Sequence, residues 1–329
     1  MKSAMLGGLW PISRLTLGGG GIGQVWGRTT RAEAEATVRA AVDAGINLLD
    51  LAPSYGRGEA ERVVGSTFNG KLPQGVRVTT KFQLGNPTPE EVRPRILASL
   101  ERSLERLKLE RVDLLFLHSN LIPDDYRYPM EGQDRFATPW ELFTVHVRPV
   151  MEELVSQGRI DAWGMTGVGL PETVIRAIGD TPRPAVVQAV ANLLDSPGAM
   201  RRFSEEPRPR AIIDAAVRHD VGVLGIRAVQ AGALTSGFDR ELPADHPDMH
   251  DFRISSPFRE LATKLGVEPA LLAHRYALSM AGVDSVVLGV KNREELRQCV
   301  EAEALGPLED ELLARIDALG LREESAFQL

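Results

Sequence analysis

Asp50, Tyr55, Lys81 and His118 are the side chains in this 329-residue sequence whose types and order suggest shared chemistry. Asp50 lies in the apolar run INLLDL (46–51), and Tyr55 follows five residues later. Lys81 ends VRVTTK (76–81), and His118 ends VDLLFLH (112–118). Each has an ordinary explanation alone: a capping carboxylate, a packed tyrosine with a wet hydroxyl, a solvated lysine, a satisfied core histidine. All four ordinary explanations must hold together at consecutive strand ends, which is a much stronger demand. As a set, the residues suit one task. A tyrosine hydroxyl titrates near about 10, and a nearby ammonium brings that value down by favouring the phenolate. A carboxylate beside the lysine holds the ammonium charged and in place, while a histidine can orient a carbonyl oxygen. The result is a proton donor aimed at an oxygen that turns negative during reaction. Hydride addition from a nicotinamide to a carbonyl would create that charge. Only six of the 38 basic residues are lysine, so Lys81 is not one of a crowd.

The elements that must position these residues follow from the hydrophobic pattern, which alternates short apolar runs with longer stretches of helical period. The other candidate strands are RLTL (14–17), IDAWGMT (160–166), AVVQAV (185–190), VGVLGI (221–226) and SVVLGV (285–290). Helical stretches lie between them at 31–45, 58–68, 89–107, 139–158, 170–179, 208–220 and 257–280. NREELRQCVEA (292–302) follows the last strand. In the third helix, Val92, Ile96, Leu100, Leu104 and Leu107 share one face. Eight strands alternating with helices predict a (β/α)8 TIM barrel, with an extra C-terminal helix at LEDELLARIDALG (308–320). A doubly wound sheet with a small second domain is the alternative. No linker-like segment divides the chain, so residues 1–329 are expected to form one domain. Two polar connections, 119–138 and 237–256, are long enough to be functional; both follow strands and so extend the C-terminal face, where barrel enzymes keep their chemistry.

Composition narrows the partners. A net charge of −7 without a basic block argues against nucleic acid or an anionic membrane. The lone Cys299 permits no disulfide framework and fits a reducing compartment. The first residues are broken by Gly and Pro before a long apolar core forms, so they do not read as a secretory signal. With no run of about 18 apolar residues, the expectation is a cytoplasmic protein off the membrane. GGGGIG (18–23) formally fits a dinucleotide-binding glycine pattern, but so glycine-rich a run fits almost any. The motif needs a helix opening on its last glycine, and QVWGRTT intervenes. It is expected to be a flexible first barrel loop.

The order of Asp50, Tyr55, Lys81 and His118 resembles the aldo-keto reductase superfamily. DLAPSYGRGEAERVVG (50–65) looks like its signature of an acid and a tyrosine before a G-x-x-E helix, and RVDLLFLH (111–118) is similar to its histidine-bearing strand. By that resemblance Tyr55 is the general acid/base, Lys81 and Asp50 tune it, and His118 orients the carbonyl. A nicotinamide cofactor is implied across the barrel mouth, NADP(H) preferred and NAD(H) possible. Gln188 and Thr166 match positions that hold the carboxamide, although Thr166 and Gly167 stand where Ser and Asn are usual. IRAVQAGALTSG (226–237) resembles the pyrophosphate stretch, implicating Arg227, Gly232 and Leu234, with Ile226 in place of a stacking aromatic. VLGVKNREELRQCV (287–300) resembles the adenosine segment. There Gly289, Lys291, Arg297 and Gln298 are implied contacts, Lys291 and Arg297 toward a 2′-phosphate. Trp26, Tyr126, Tyr128 and Trp140 are expected to line a pocket for an aldehyde, ketone or sugar, or the corresponding alcohol; the oligomeric state is open. Two other classes compete. A metal-dependent barrel hydrolase or isomerase needs converging ligands, yet only His118 of six histidines ends a strand. A cofactor-sensing barrel would not need all four polar residues.

Overall fold

The computed structural model describes residues 1–128, 132, 134–238 and 240–322. Eight parallel strands close into a barrel: β1 Leu15–Gly18, β2 Leu48–Asp50, β3 Arg77–Phe82, β4 Val112–Leu117, β5 Ile160–Thr166, β6 Val186–Val190, β7 Gly222–Ile226 and β8 Ser285–Leu288. Each strand pairs with its neighbours in chain order, and β8 closes on β1. The outer helices are α1 Arg31–Asp43, α2 Glu59–Phe68, α3 Pro89–Leu107, α4 Arg148–Ser156, α5 Pro171–Gly179 and α6 Pro209–Arg218. After β7 come α7 Pro247–Ile254, α8 Ser256–Leu265 and α9 Pro269–Ser279; α10 Arg293–Leu305 and α11 Asp310–Asp317 follow β8. The last of these is the extra C-terminal helix.

Period-two alternation decides what the barrel does. Inward-facing Leu48, Leu114, Phe116, Ala162, Val186 and Leu224 fill the lower barrel. Continuing with the same parity toward the C-terminal ends, the inward positions become Asp50, Lys81, His118, Thr166, Gln188 and Ile226. A single alternation therefore supplies an apolar floor and a polar mouth. The barrel floor is sealed by a hairpin pairing Ser3–Met5 with Pro11–Ser13, whose Leu6 and Ile12 join the interior cluster. Strands of three residues carry too little pattern for the sequence to reveal them.

Outward positions fasten the strands to the helices. Thr80, between inward Thr79 and Lys81, donates to Glu61 Oε1 of α2 at 2.6 Å. Arg106 of α3 donates to Glu61 Oε2 at 2.6 Å. Glu61, the acid of the G-x-x-E helix, is fully buried and clamps α2, α3 and β3 together.

Two segments differ from expectation. The glycine run after β1 is a buried helical turn at Gly19–Ile22, not a flexible loop. A Cβ on Gly19 would lie 3.0 Å from the Tyr55 ring and from Ala60 and Leu51, so the absent side chain lets the turn tuck beneath Tyr55. Within 237–256, α7 occupies what was expected to be loop. Its inward residues are Asp248 and Asp251, held by hydrogen bonds instead of an apolar stripe, so hydrophobic periodicity could not show it. Residues 129–131, 133 and 239 of the two long connections lie outside the described residues, as do 323–329 at the chain end. No helix of the described chain is long and apolar enough to cross a membrane.

The Glu61 clamp carries a stability prediction. Glu61→Ala strands a guanidinium and a buried hydroxyl, and should cost about 3 kcal/mol in urea unfolding. Glu61→Gln, which keeps an acceptor, should cost less; equal losses for both would show that the acceptor does not matter.

Candidate active site

The Asp50 carboxylate sits at the centre of the barrel mouth. Lys81 Nζ donates to both its oxygens at 2.8 Å and to the Leu51 carbonyl at 2.9 Å. Thr79 Oγ1 and Gln188 Nε2 each donate to Asp50 Oδ1 at 2.8 Å. The pair is almost wholly withdrawn from solvent, Lys81 at 0% and Asp50 at 2% exposure. Burial works against the ammonium, but Asp50 and then Tyr55 outweigh it and raise the lysine pKa above its ordinary value. Asp50 thus favours the charged form of Lys81.

Tyr55 and His118 complete the group. Lys81 Nζ lies 4.8 Å from the centre of the Tyr55 ring. The Tyr55 and His118 rings meet edge to face, 6.1 Å apart at 84°. The backbone N–H of His118 donates to the Phe82 carbonyl at 2.8 Å, which fixes the end of β4 against β3. Burial pushes the Tyr55 phenol above its ordinary value; the Lys81 charge opposes this and Asp50 reinforces it. This corrects the expectation that the ammonium would bring the phenol down. Lys81 does pull that way, but the enclosing protein pulls harder. Burial and the Lys81 charge hold His118 down to about 3, so its imidazole is neutral at physiological pH. The arrangement provides a protonated phenol, a neutral imidazole and a fixed positive charge around one point.

These residues open on a cavity of about 550 Å³. Asp50, Tyr55, His118, Thr166, Gln188, Ile226, Arg227, Gly232, Gly289, Lys291, Gln298 and Trp26 all reach its wall. Thr166 Oγ1 is buried there without a hydrogen-bond partner, an open position for a ligand amide. Gln188 spends its N–H on Asp50 and keeps its carbonyl oxygen as an acceptor. A Cβ at Gly167 would lie 2.8 Å from Val187 Cγ2 and 3.0 Å from the Gln188 carbonyl, so this backbone has no room for a second amide-binding side chain.

The structure does not bring every expected residue to the cavity. Leu234 is fully buried in the core. Arg297 points outward between Glu294 and Glu301 on its own helix. Trp140 packs among core residues with the Arg176 guanidinium 3.9 Å from its ring centre. Tyr126 and Tyr128 meet edge to face at 5.4 Å in a small apolar cluster with Ile122, Ala137, Leu170 and Phe203. They do not line the cavity; a nonperiodic loop gave no sign of which aromatics face inward. Trp26 does line the cavity, against Gly20 and Gly289. Arg227 is buried and held by Asp248 at 2.6 Å and by Gln230 at 2.8 Å. Lys291 Nζ lies 3.1 Å from Glu295 Oε1, and its backbone N–H donates to Glu295 Oε2 at 2.8 Å. Cys299 is buried, its thiol raised by burial and 3.5 Å from His274 Nε2.

Sequence reasoning missed Thr79, Glu295, Phe136 and Arg202. Thr79 shares the inward parity of Lys81, and Glu295 stands four residues after Lys291 on one helical face, so both left a readable signal. Phe136 and Arg202 lie in irregular segments and left none. Among the described residues, no three His, Cys, Asp or Glu side chains gather as a metal site would require.

Known proteins resemble this chain in sequence and in fold. In sequence the chain is 28% identical over 311 residues to aldo-keto reductase YhdN of Bacillus subtilis (strain 168), covering 88% of this chain and 84% of that protein. It is 27% identical over 327 residues to D-threo-aldose 1-dehydrogenase of a Pseudomonas species, covering 89% and 90% of the two. The solved glycerol dehydrogenase of Gluconobacter oxydans shares its fold with a TM-score of 0.71 at 24% identity, over 97% of this chain and 95% of that one. The sequence profile of the Aldo/keto reductase family matches residues 14–320, nearly the whole barrel and its last helices. The chain belongs to the Aldo/keto reductase family of oxidoreductases.

Proposed function

We propose that this protein interconverts a carbonyl compound and its alcohol, with Tyr55 as the group that gives or takes the proton. The observation that carries the reading is the convergence of Tyr55, His118 and Asp50 on one cavity, with Lys81 buried behind Asp50 and bonded to it. Its wall also holds an unpartnered amide-binding hydroxyl, Thr166.

A nicotinamide cofactor, when bound, supplies or accepts the hydride. Thr166 and the Gln188 carbonyl oxygen would hold its carboxamide, Ile226 would pack against the ring, and the cavity wall at Gly232, Gly289 and Gln298 would take the remainder. The protein's own work is proton transfer and charge stabilisation. His118, neutral, donates an N–H to the substrate oxygen. Tyr55 gives that oxygen its proton as negative charge develops, and Lys81 steadies the phenolate left behind. Because burial raises the Tyr55 pKa, the donor form persists through neutral pH and favours reduction. The reverse reaction needs the phenolate and gains as pH rises toward that pKa. His118, neutral well below pH 7, contributes no limb to the profile near neutrality.

The same cavity argues about the cofactor's phosphate. Lys291, expected to meet a 2′-phosphate, is engaged by Glu295, and Arg297 by Glu294 and Glu301. A 2′-phosphate would have to displace the Glu295 carboxylate or lie beside it, a like-charge contact that NAD(H) avoids. On this reading NAD(H) is accepted at least as well as NADP(H), whereas Lys291 and Arg297 led to the expectation of an NADP(H) preference.

Two experiments test these statements. Tyr55→Phe should keep cofactor affinity within about twofold and lose at least ~100-fold in kcat toward a reactive aldehyde, the usual scale of a lost proton donor. Unchanged turnover would remove Tyr55 from the mechanism. Glu295→Gln should shift the ratio of NADH to NADPH dissociation constants toward NADPH by about tenfold, equivalent to one 1.4 kcal/mol step. An unchanged ratio would mean that Glu295 does not read this part of the cofactor.

A further inference from the structure

The cavity wall carries a guanidinium that the proton relay does not use. Arg202 lies in the segment after β6 and lines the same cavity as Tyr55, His118, Asn120 and Phe136. Its guanidinium stacks 3.8 Å from the centre of the Phe136 ring, and the Arg135 guanidinium lies 4.7 Å from the centre of that ring. Other basic side chains of the wall are engaged: Arg227 by Asp248, Lys291 by Glu295, and Arg240 by the Ala231 carbonyl and, at 5.3 Å, the Trp26 ring. Among the described residues no carboxylate pairs with Arg202. Burial, with Arg135 nearby, disfavours its charge, and the one opposing neighbour is the Tyr128 hydroxyl.

The surrounding chain holds Arg202 in this position. The next residue, Phe203, is 1% exposed and anchors in the apolar cluster of Ile122, Ala137 and Leu170. The preceding Arg201 is spent on the carbonyls of Phe203, Ser204 and Glu205 at 3.2, 2.8 and 3.1 Å. Three residues back, Ala199 donates its N–H to Asp248 at 3.1 Å. Arg202 is thus set between fixed neighbours, over a ring that brings a second guanidinium close. A guanidinium held flat on a phenyl ring at a cavity wall presents its N–H fork to an anion.

We infer that Arg202 selects substrates bearing a carboxylate, so that the preferred substrate is an oxo-acid whose carboxylate pairs with Arg202 while its carbonyl oxygen meets Tyr55 and His118. The inference rests on the proposed carbonyl chemistry and adds the substrate class. Arg202 lies with Phe136 and Asn120 on the side of the β4 loop, whereas Lys291, Glu295 and Gln298 follow β8, so the anion it serves is the substrate's and not the cofactor's. Planar, bidentate pairing favours a carboxylate, and an apolar body fits the neighbouring Met200, Val168 and Phe136.

The test uses the full-length protein with 4-carboxybenzaldehyde and its neutral methyl ester, which differ only at the anionic end. Calorimetry on the protein saturated with oxidised cofactor, where no reduction can occur, should show the acid binding at least ~10-fold more tightly than the ester. Arg202→Gln should abolish that preference, leaving ester and cofactor dissociation constants unchanged, and Arg202→Lys should restore part of it. In turnover with reduced cofactor, Arg202→Gln should raise KM for the acid and spare kcat. Equal binding of acid and ester by the wild type overturns the inference, as does a loss in Arg202→Gln that falls on cofactor affinity. Tighter binding of an aldehyde phosphate than of the acid, lost in Arg202→Gln, would overturn the carboxylate assignment. Failure of the wild type to bind either cofactor would instead strike the carbonyl chemistry, so the two readings fail separately.

Discussion

The Lys81–Asp50 ion pair is the constraint on which the rest of the site depends. Removing two charges from water costs several kcal/mol each after relaxation, and the cost is recovered only if their remaining hydrogen-bonding capacity is met. Here Lys81 has three acceptors, and Asp50 also receives Thr79 and Gln188. That pattern ties β2, β3 and β6 together at the barrel mouth. It also orders the chemistry. Once Lys81 is held charged by Asp50, its field acts on Tyr55, disfavours charge on His118, and gives a developing phenolate a partner. Burial raises the phenol and the cation restrains that rise, so the proton donor stays loaded but does not become inert.

The remaining structure divides into what fixes this pair and what gives it access to ligands. Glu61 fixes β3 from outside the barrel, and the Gly19–Ile22 turn supports Tyr55 from beneath. At the mouth, a second buried network of Asn192, Ser196, Arg227, Gln230, Asp248 and Asp251 pins α7 to the loops after β6 and β7. In that network Arg227, Gln230 and Ala231 adopt left-handed backbone conformations, at φ of 62°, 46° and 50°. Non-glycine residues carry strain there, and it persists because the hydrogen bonds over-determine the loop. Rigid loops at a barrel's C-terminal face suit a ligand that must be held within bonding distance of a buried proton donor.

Much of this was legible in the sequence because barrel strands write a simple code. Apolar runs marked all eight strands to within two residues at most ends, and Asp50, Lys81 and His118 fell at their C-terminal limits. Carrying the alternation one step further would have added Thr79. What the sequence did not disclose depends on quantities that have no local pattern. The Tyr55 phenol rises because of how much protein encloses it, which residue types alone do not state. Trp140 and the Tyr126–Tyr128 pair were expected in the pocket because aromatics often line pockets, but three-dimensional packing placed them in the core and in a small separate apolar cluster. Helix α7 was hidden because its buried side is made of aspartates whose partners lie up to 55 residues away. Arg202 was hidden for a related reason: that no carboxylate among the described residues pairs with it is a property of its surroundings.

The most direct test of the account is titration of Tyr55 itself, followed by NMR of protein carrying ring-labelled tyrosine, with its signal assigned by loss in Tyr55→Phe. The phenol of the wild type should titrate above the ordinary tyrosine value, and Lys81→Met should move it higher still, because burial remains and the opposing charge is gone. A Tyr55 pKa that stays put or falls when Lys81 is removed would contradict the claim that the buried ion pair governs the proton donor.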